Sequence, residues 1–83
     1  MSNKKNNWSD TVKTAVWKKG RINPDYSPKV LRWDRHGNIM MWSEYGQADS
    51  KFGWKIDQIN PAINEGEEDL NNLLPVNNYF KTE

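Results

Sequence analysis

The 83-residue chain has no cysteine, a single histidine and no long apolar run. Each absence removes a class of protein. Without cysteine there is no disulfide framework, no thiolate metal site and no thiol nucleophile. One imidazole, His36, rules out any site that draws two or three histidines from one chain. No stretch approaches the ~20 apolar residues of a membrane-spanning helix. Residues 1–7 are polar and carry no hydrophobic leader segment. The length leaves room for one core only. These absences lead us to expect a single cytoplasmic domain with no membrane partner.

Aromatic rings are what the chain has in quantity. Its mean hydropathy is −1.05, low for a folded chain, yet five Trp, three Tyr and two Phe each bury far more area than an aliphatic side chain. The expected core is built mainly from Trp17, Trp33, Trp42, Trp54, Tyr26, Tyr45 and Phe52, with Val, Ile and Leu between them. Net charge is +1, but it is unevenly distributed. Residues 1–35 hold nine basic side chains against three acidic, net +6, and residues 36–83 hold three against eight, net −5. A basic half suits phosphate partners, although opposite charges of this number also simply attract within a fold.

Residues 1–8 read as a flexible polar arm before a domain at 9–83. Ser9 has the chemistry of an N-cap, and Val12, Ala15 and Val16 follow at helical spacing, which predicts a helix over 10–19 with Gly20 as its stop. The proline-bearing stretch 21–28 is expected to be a loop. Residues 29–34 and 39–42 form a predicted β-hairpin, with Gly37-Asn38 supplying left-handed turn conformations. Residues 43–53 read as a loop and 54–59 as a strand by alternation. Asp69 caps a predicted helical turn over 69–74 that Pro75 interrupts, and Asn77 has the chemistry to cap a last helix.

Phe52-Gly53-Trp54-Lys55-Ile56-Asp57-Gln58-Ile59-Asn60-Pro61, followed by Gly66, Asp69-Leu70, Asn72-Leu73 and Pro75, resembles the HNH endonuclease motif. Upstream, Ala15 to Ile22, then Pro24, Tyr26 and Pro28, then Arg32, Asp34 and Gly37, then Tyr45-Gly46, are similar to small bacterial HNH-signature proteins. The likeness covers about residues 12–81. It implies an α+β fold: an N-terminal helix, a β-hairpin and a degenerate ββα-metal module. In that family a carboxylate or His ligates one divalent cation, the next His is the general base, an Asn orients that base, and a final-helix residue completes the metal site.

Carried over position by position, the resemblance makes Asp57 the remaining metal ligand and Asn72 the retained orienting residue. The base position holds Gln58, an amide that cannot take a proton from water. The last ligand position falls near Lys81, whose ammonium repels a cation, with Asn77 or Asn78 as substitutes. Glu65 replaces a glycine of the pattern. No catalytic residue and no cofactor are therefore expected.

Three functions follow. The first is a pseudo-nuclease that holds nucleic acid without cutting it, through Lys18, Lys19, Arg21, Arg32 and Arg35 with Trp17 and Trp33 nearby. The second is a weak Mg²⁺-dependent endonuclease in which water or His36 replaces the base, against the simpler reading of His36 as a solvated turn residue. The third is a small protein-binding inhibitor of phage or mobile-element type, whose acidic run Glu65, Glu67, Glu68 and Asp69 docks on a basic partner. Asp57 and Asn72 also have the chemistry to cap turns and bridge strands without any further role.

Overall fold

Ser9 is the N-cap of the first helix. Its side chain accepts the Val12 backbone N–H at 3.2 Å, and Asp10 sits in the first turn of α1 (Asp10–Trp17), where a carboxylate complements the helix dipole. Val12, Val16 and Trp17 form the buried stripe of this helix. A computed structural model describes residues 8–60 and 69–80 of the chain, with α1 as its one α-helix among two small antiparallel sheets. The result is a small mixed α+β domain.

The helix does not end on a left-handed glycine. Lys18, in right-handed helical conformation, is the C-cap, and Gly20 serves close packing instead. A Cβ there would lie 3.0 Å from Arg32 Cβ and 3.1 Å from Met40 Cε.

The first sheet has the order β1 (Arg21–Ile22), β2 (Leu31–Trp33), β3 (Ile39–Met41), with Leu31 opposite Met41 and Arg21 opposite Trp33. Strand β1 lies in the stretch expected to be a loop. The β2–β3 turn also differs from the Gly-Asn expectation. Only Gly37 takes a positive φ, 86°, and the turn is organised by Asp34. Its Oδ1 accepts the backbone N–H of both His36 and Asn38, each at 2.9 Å, while its own N–H donates to the Asn38 carbonyl at 2.8 Å.

The second sheet pairs β4 (Trp54–Gln58) with β5 (Leu73–Asn77), placing Asp57 opposite Leu74 and Ile56 opposite Pro75. Residues 73–77 are thus a strand, not the end of a helical turn. The expected turn shrinks to the 3₁₀ segment Leu70–Asn72, capped by Asp69 as anticipated, its side chain accepting from Asn71 N–H. Burial explains the switch. Along β5, Leu73, Pro75 and Asn77 are buried and the residues between are half-buried, a two-residue period that outweighs the short helical signal.

Two apolar clusters fill the interior, with Ile56 packed against both. One is Val12, Val16 and Leu73, with Trp8 against it, so Trp8 packs on the core while residues 1–7 lie outside the described residues. The other is Trp17, Met40 and Trp54, flanked by Trp42 and Tyr45. Trp17 and Trp54 have ring centroids 4.9 Å apart, and Tyr45 meets Trp54 edge-on at 4.8 Å. Trp33 is half-buried. Tyr26 and Phe52 leave the expected core: they are 55% and 39% exposed, because the loops that carry them run over the surface. Fully buried Met40 was not anticipated.

Candidate functional site

Alternation along β4 turns Trp54, Ile56 and Gln58 inward and leaves Lys55 and Asp57 exposed on one face. The β2–β3 turn is fastened beside that face. Asp34 Oδ2 accepts the Asn77 N–H at 2.9 Å, in a site where Asp34 is 2% exposed. Asn77 locks the other side: its Nδ2 donates to the Ile39 and Lys51 carbonyls, each at 2.8 Å. Its Oδ1 accepts the Tyr79 and Phe80 N–H groups at 2.7 and 3.0 Å. That last pair is the bonding of an Asx turn. Asn77 ends β5 and residues 78–80 are bends, so the last helix expected after Asn77 does not form among the described residues.

The consequence is a cleft of about 280 Å³ lined by Arg35, His36, Lys55, Asp57, Asn78 and Phe80. A second cleft, about 310 Å³, includes Lys19, Arg21 and Arg35 over Leu74 and Pro75. Arg35 lines both, so the two adjoin. His36 and Asp57, 21 positions apart in the chain, thereby line one concavity.

Of the positions carried over from the HNH pattern, Asp57 and Gln58 lie on opposite faces of β4. Asp57 lines the cleft, and its Oδ1 accepts the N–H of Gln58 at 3.0 Å. Gln58 is half-buried on the other face of β4. Asn72, 8% exposed, binds the backbone of Asn60 reciprocally: Oδ1 accepts its N–H at 2.8 Å and Nδ2 donates to its carbonyl at 3.1 Å. With Ile59 N–H on the Asn72 carbonyl at 2.8 Å, this clamp ties the end of β4 to the start of β5. Lys81 and the acidic positions Glu65, Glu67 and Glu68 lie outside the described residues.

The five basic candidates divide. Arg32 is turned into the fold, with Nε on the Pro28 carbonyl at 3.0 Å and Nη1 on the carbonyls of Lys18 and Gly20 at 3.1 and 2.9 Å. It thereby satisfies groups at the helix end that would otherwise lack donors. Lys19 Nζ donates to the carbonyls of Leu70 and Leu73, the latter at 2.8 Å. Arg21 lies over the Trp33 ring, 5.4 Å from its centroid. Arg35 is exposed at the junction of the clefts, whereas Lys18 lines a separate cavity with Trp17 and Trp42.

Sequence reasoning missed Lys55. The signal was present, because strand alternation through Lys55-Ile56-Asp57 puts the two charged residues on one side. The arrival of His36 had no local signal, since it depends on a contact from Asp34 to Asn77.

A divalent cation does not fit this donor set. Asp57 is the one exposed carboxylate lining the cleft, and Arg35 and Lys55 line it too. Among the described residues no three His, Cys, Asp or Glu side chains come together as a metal site. Nor is any helix among them long and apolar enough to cross a membrane. Comparison with known proteins adds no relative: no family model, no curated protein and no solved structure matches the chain.

Proposed function

We propose that this chain is a non-cleaving nucleic-acid-binding module, built on a degenerate HNH-like hairpin and acting in the cytoplasm. The observation that carries the reading is the junction of two clefts at Arg35, which sets Arg21, Arg35 and Lys55 along one concave surface beside His36. Such a row suits the regularly spaced charges of a phosphodiester backbone. The HNH-like likeness supports the choice of partner. Gln58, inward on β4, leaves the hairpin without a general base in the expected place, and the lone carboxylate Asp57 among cations suits anion binding better than metal-assisted hydrolysis.

Because His36 lines the same cleft as Asp57, a second reading is a weak hydrolase that uses this imidazole as its base. One experiment separates the two. Fluorescence anisotropy with a labelled duplex and a labelled single strand follows binding, and gels of the same samples with Mg²⁺ follow cleavage. Neutralising three phosphates gives a salt slope of about −2.7, so affinity falls about 40-fold between 50 and 200 mM salt. Arg35→Glu with Lys55→Glu abolishes the binding. Cleavage that is lost in His36→Ala selects the hydrolase instead, and absence of binding to either strand form at low salt overturns both.

A further inference from the structure

A third cavity, about 290 Å³, opens between the end of α1, the loop before β2 and Trp42. It shares no lining residue with the two clefts described above. Its walls are the edge of Trp17, Trp42, Pro28 and the stem of Arg32. The polar groups of Trp17, Pro28 and Arg32 in these walls are engaged within the fold. Trp17 Nε1–H donates to the Pro28 carbonyl at 2.9 Å, and that carbonyl also accepts from Arg32 Nε. Arg32 Nη1 is held by the Lys18 and Gly20 carbonyls. The lining is mainly apolar, with Thr14 and the ammonium groups of Lys18 and Lys29 at exposed positions and no acidic side chain in it.

We propose that this cavity is a docking site for an acidic peptide segment of a partner protein, which lays one apolar side chain over Trp42, Pro28 and the rim of Trp17 and sets flanking carboxylates on Lys18 and Lys29. Charge complementarity selects the occupant: two exposed cations with no acid in the same lining recognise carboxylates, and the apolar floor recognises the side chain between them. A nucleobase fits less well. The Trp42 ring already faces Lys13, whose Nζ lies 5.0 Å from its centroid, and packs against Trp17 and Trp54 at 5.5 and 5.8 Å. Base stacking needs an open ring face.

The test titrates the synthetic peptide acetyl-Asp-Glu-Leu-Glu-Asp-amide into the full chain and records ¹H–¹⁵N shifts, with the Trp17 and Trp42 indole N–H signals resolved. Saturable shifts of those two indoles and of the Lys18 and Lys29 amides support the proposal. Replacing the peptide's leucine by alanine removes the indole shifts. Lys18→Glu with Lys29→Glu weakens binding by about tenfold, as two exposed ion pairs do; an unchanged Trp17 indole shift in the free variant shows that the fold is retained. No shift at the cavity overturns the proposal, as does an equal response to the alanine peptide. Shifts at the same residues produced by oligothymidylate and not by the peptide overturn it in favour of a nucleobase.

Discussion

Asp34 ties the β2–β3 turn to β5, and Asp34→Asn is the perturbation that tests this. Its buried carboxylate takes three backbone N–H groups, from His36 and Asn38 on one oxygen and from Asn77 on the other. The amide keeps one oxygen, so it retains the turn and turns an N–H₂ toward the Asn77 N–H. One charge-assisted bond is lost and a buried donor is left facing another donor, which costs about 2 kcal/mol. An 83-residue domain has about 4–12 kcal/mol in all. The change is therefore a large fraction of stability and lowers Tm by about 8–16 °C. Asp34→Ala strands all three donors and costs about 3–5 kcal/mol, enough to unfold a protein at the lower end of that range. Urea denaturation followed by tryptophan fluorescence reads both, since Trp54 is fully buried. An Asn variant within about 0.5 kcal/mol of the parent would refute the reasoning, and with it the claim that Asp34 fixes the Arg35-His36 turn against β5.

The two close-packed glycines respond unequally. A Cβ at Gly53 would sit 1.9 Å from the Gln47 carbonyl oxygen, so Gly53→Ala must move backbone and costs about 3 kcal/mol, whereas Gly20→Ala presses partly on the flexible tip of Met40 and costs about 1 kcal/mol by the same denaturation assay. Asn72→Ala releases the Asn60 clamp and destabilises by about 1–3 kcal/mol, and Asn72→Asp, which keeps the acceptor for the Asn60 N–H but sets a buried carboxylate oxygen against the Asn60 carbonyl, lowers the urea midpoint at least as far as the Ala variant. Burial pushes the Tyr45 phenol above its ordinary value of 10.0. Its contribution is thus fully present below pH 10 and is lost as pH rises through the raised value. The urea midpoints of parent and Tyr45→Phe therefore keep a constant separation from pH 7 to 9, and above pH 10 the parent loses stability that the Phe variant keeps.

Sequence alone determined the features that reside within a few neighbouring residues. Ser9 and Asp10 announce α1 through capping chemistry, alternation announces β4 with Lys55 and Asp57 on one side, and Asp69 caps a turn. These are short-range effects, legible wherever a residue's partner lies three or four positions away. Tertiary structure decided what depends on distant partners. Residues 73–77 became a strand because β4 offered a pairing edge and the interior took Leu73, Pro75 and Asn77. Tyr26 and Phe52 stayed outside because loop paths, not hydrophobicity, set their exposure. Lys19 and Arg32, equal to Arg35 as charges in the sequence, became clasps on backbone carbonyls, while Arg35 stayed exposed at the joined clefts. His36 came to line the same cleft as Asp57 because Asp34 binds Asn77 across 43 positions. A local pattern reports which chemistry a residue carries, and long-range hydrogen bonding and packing decide whether that chemistry is buried in the scaffold or left at a site.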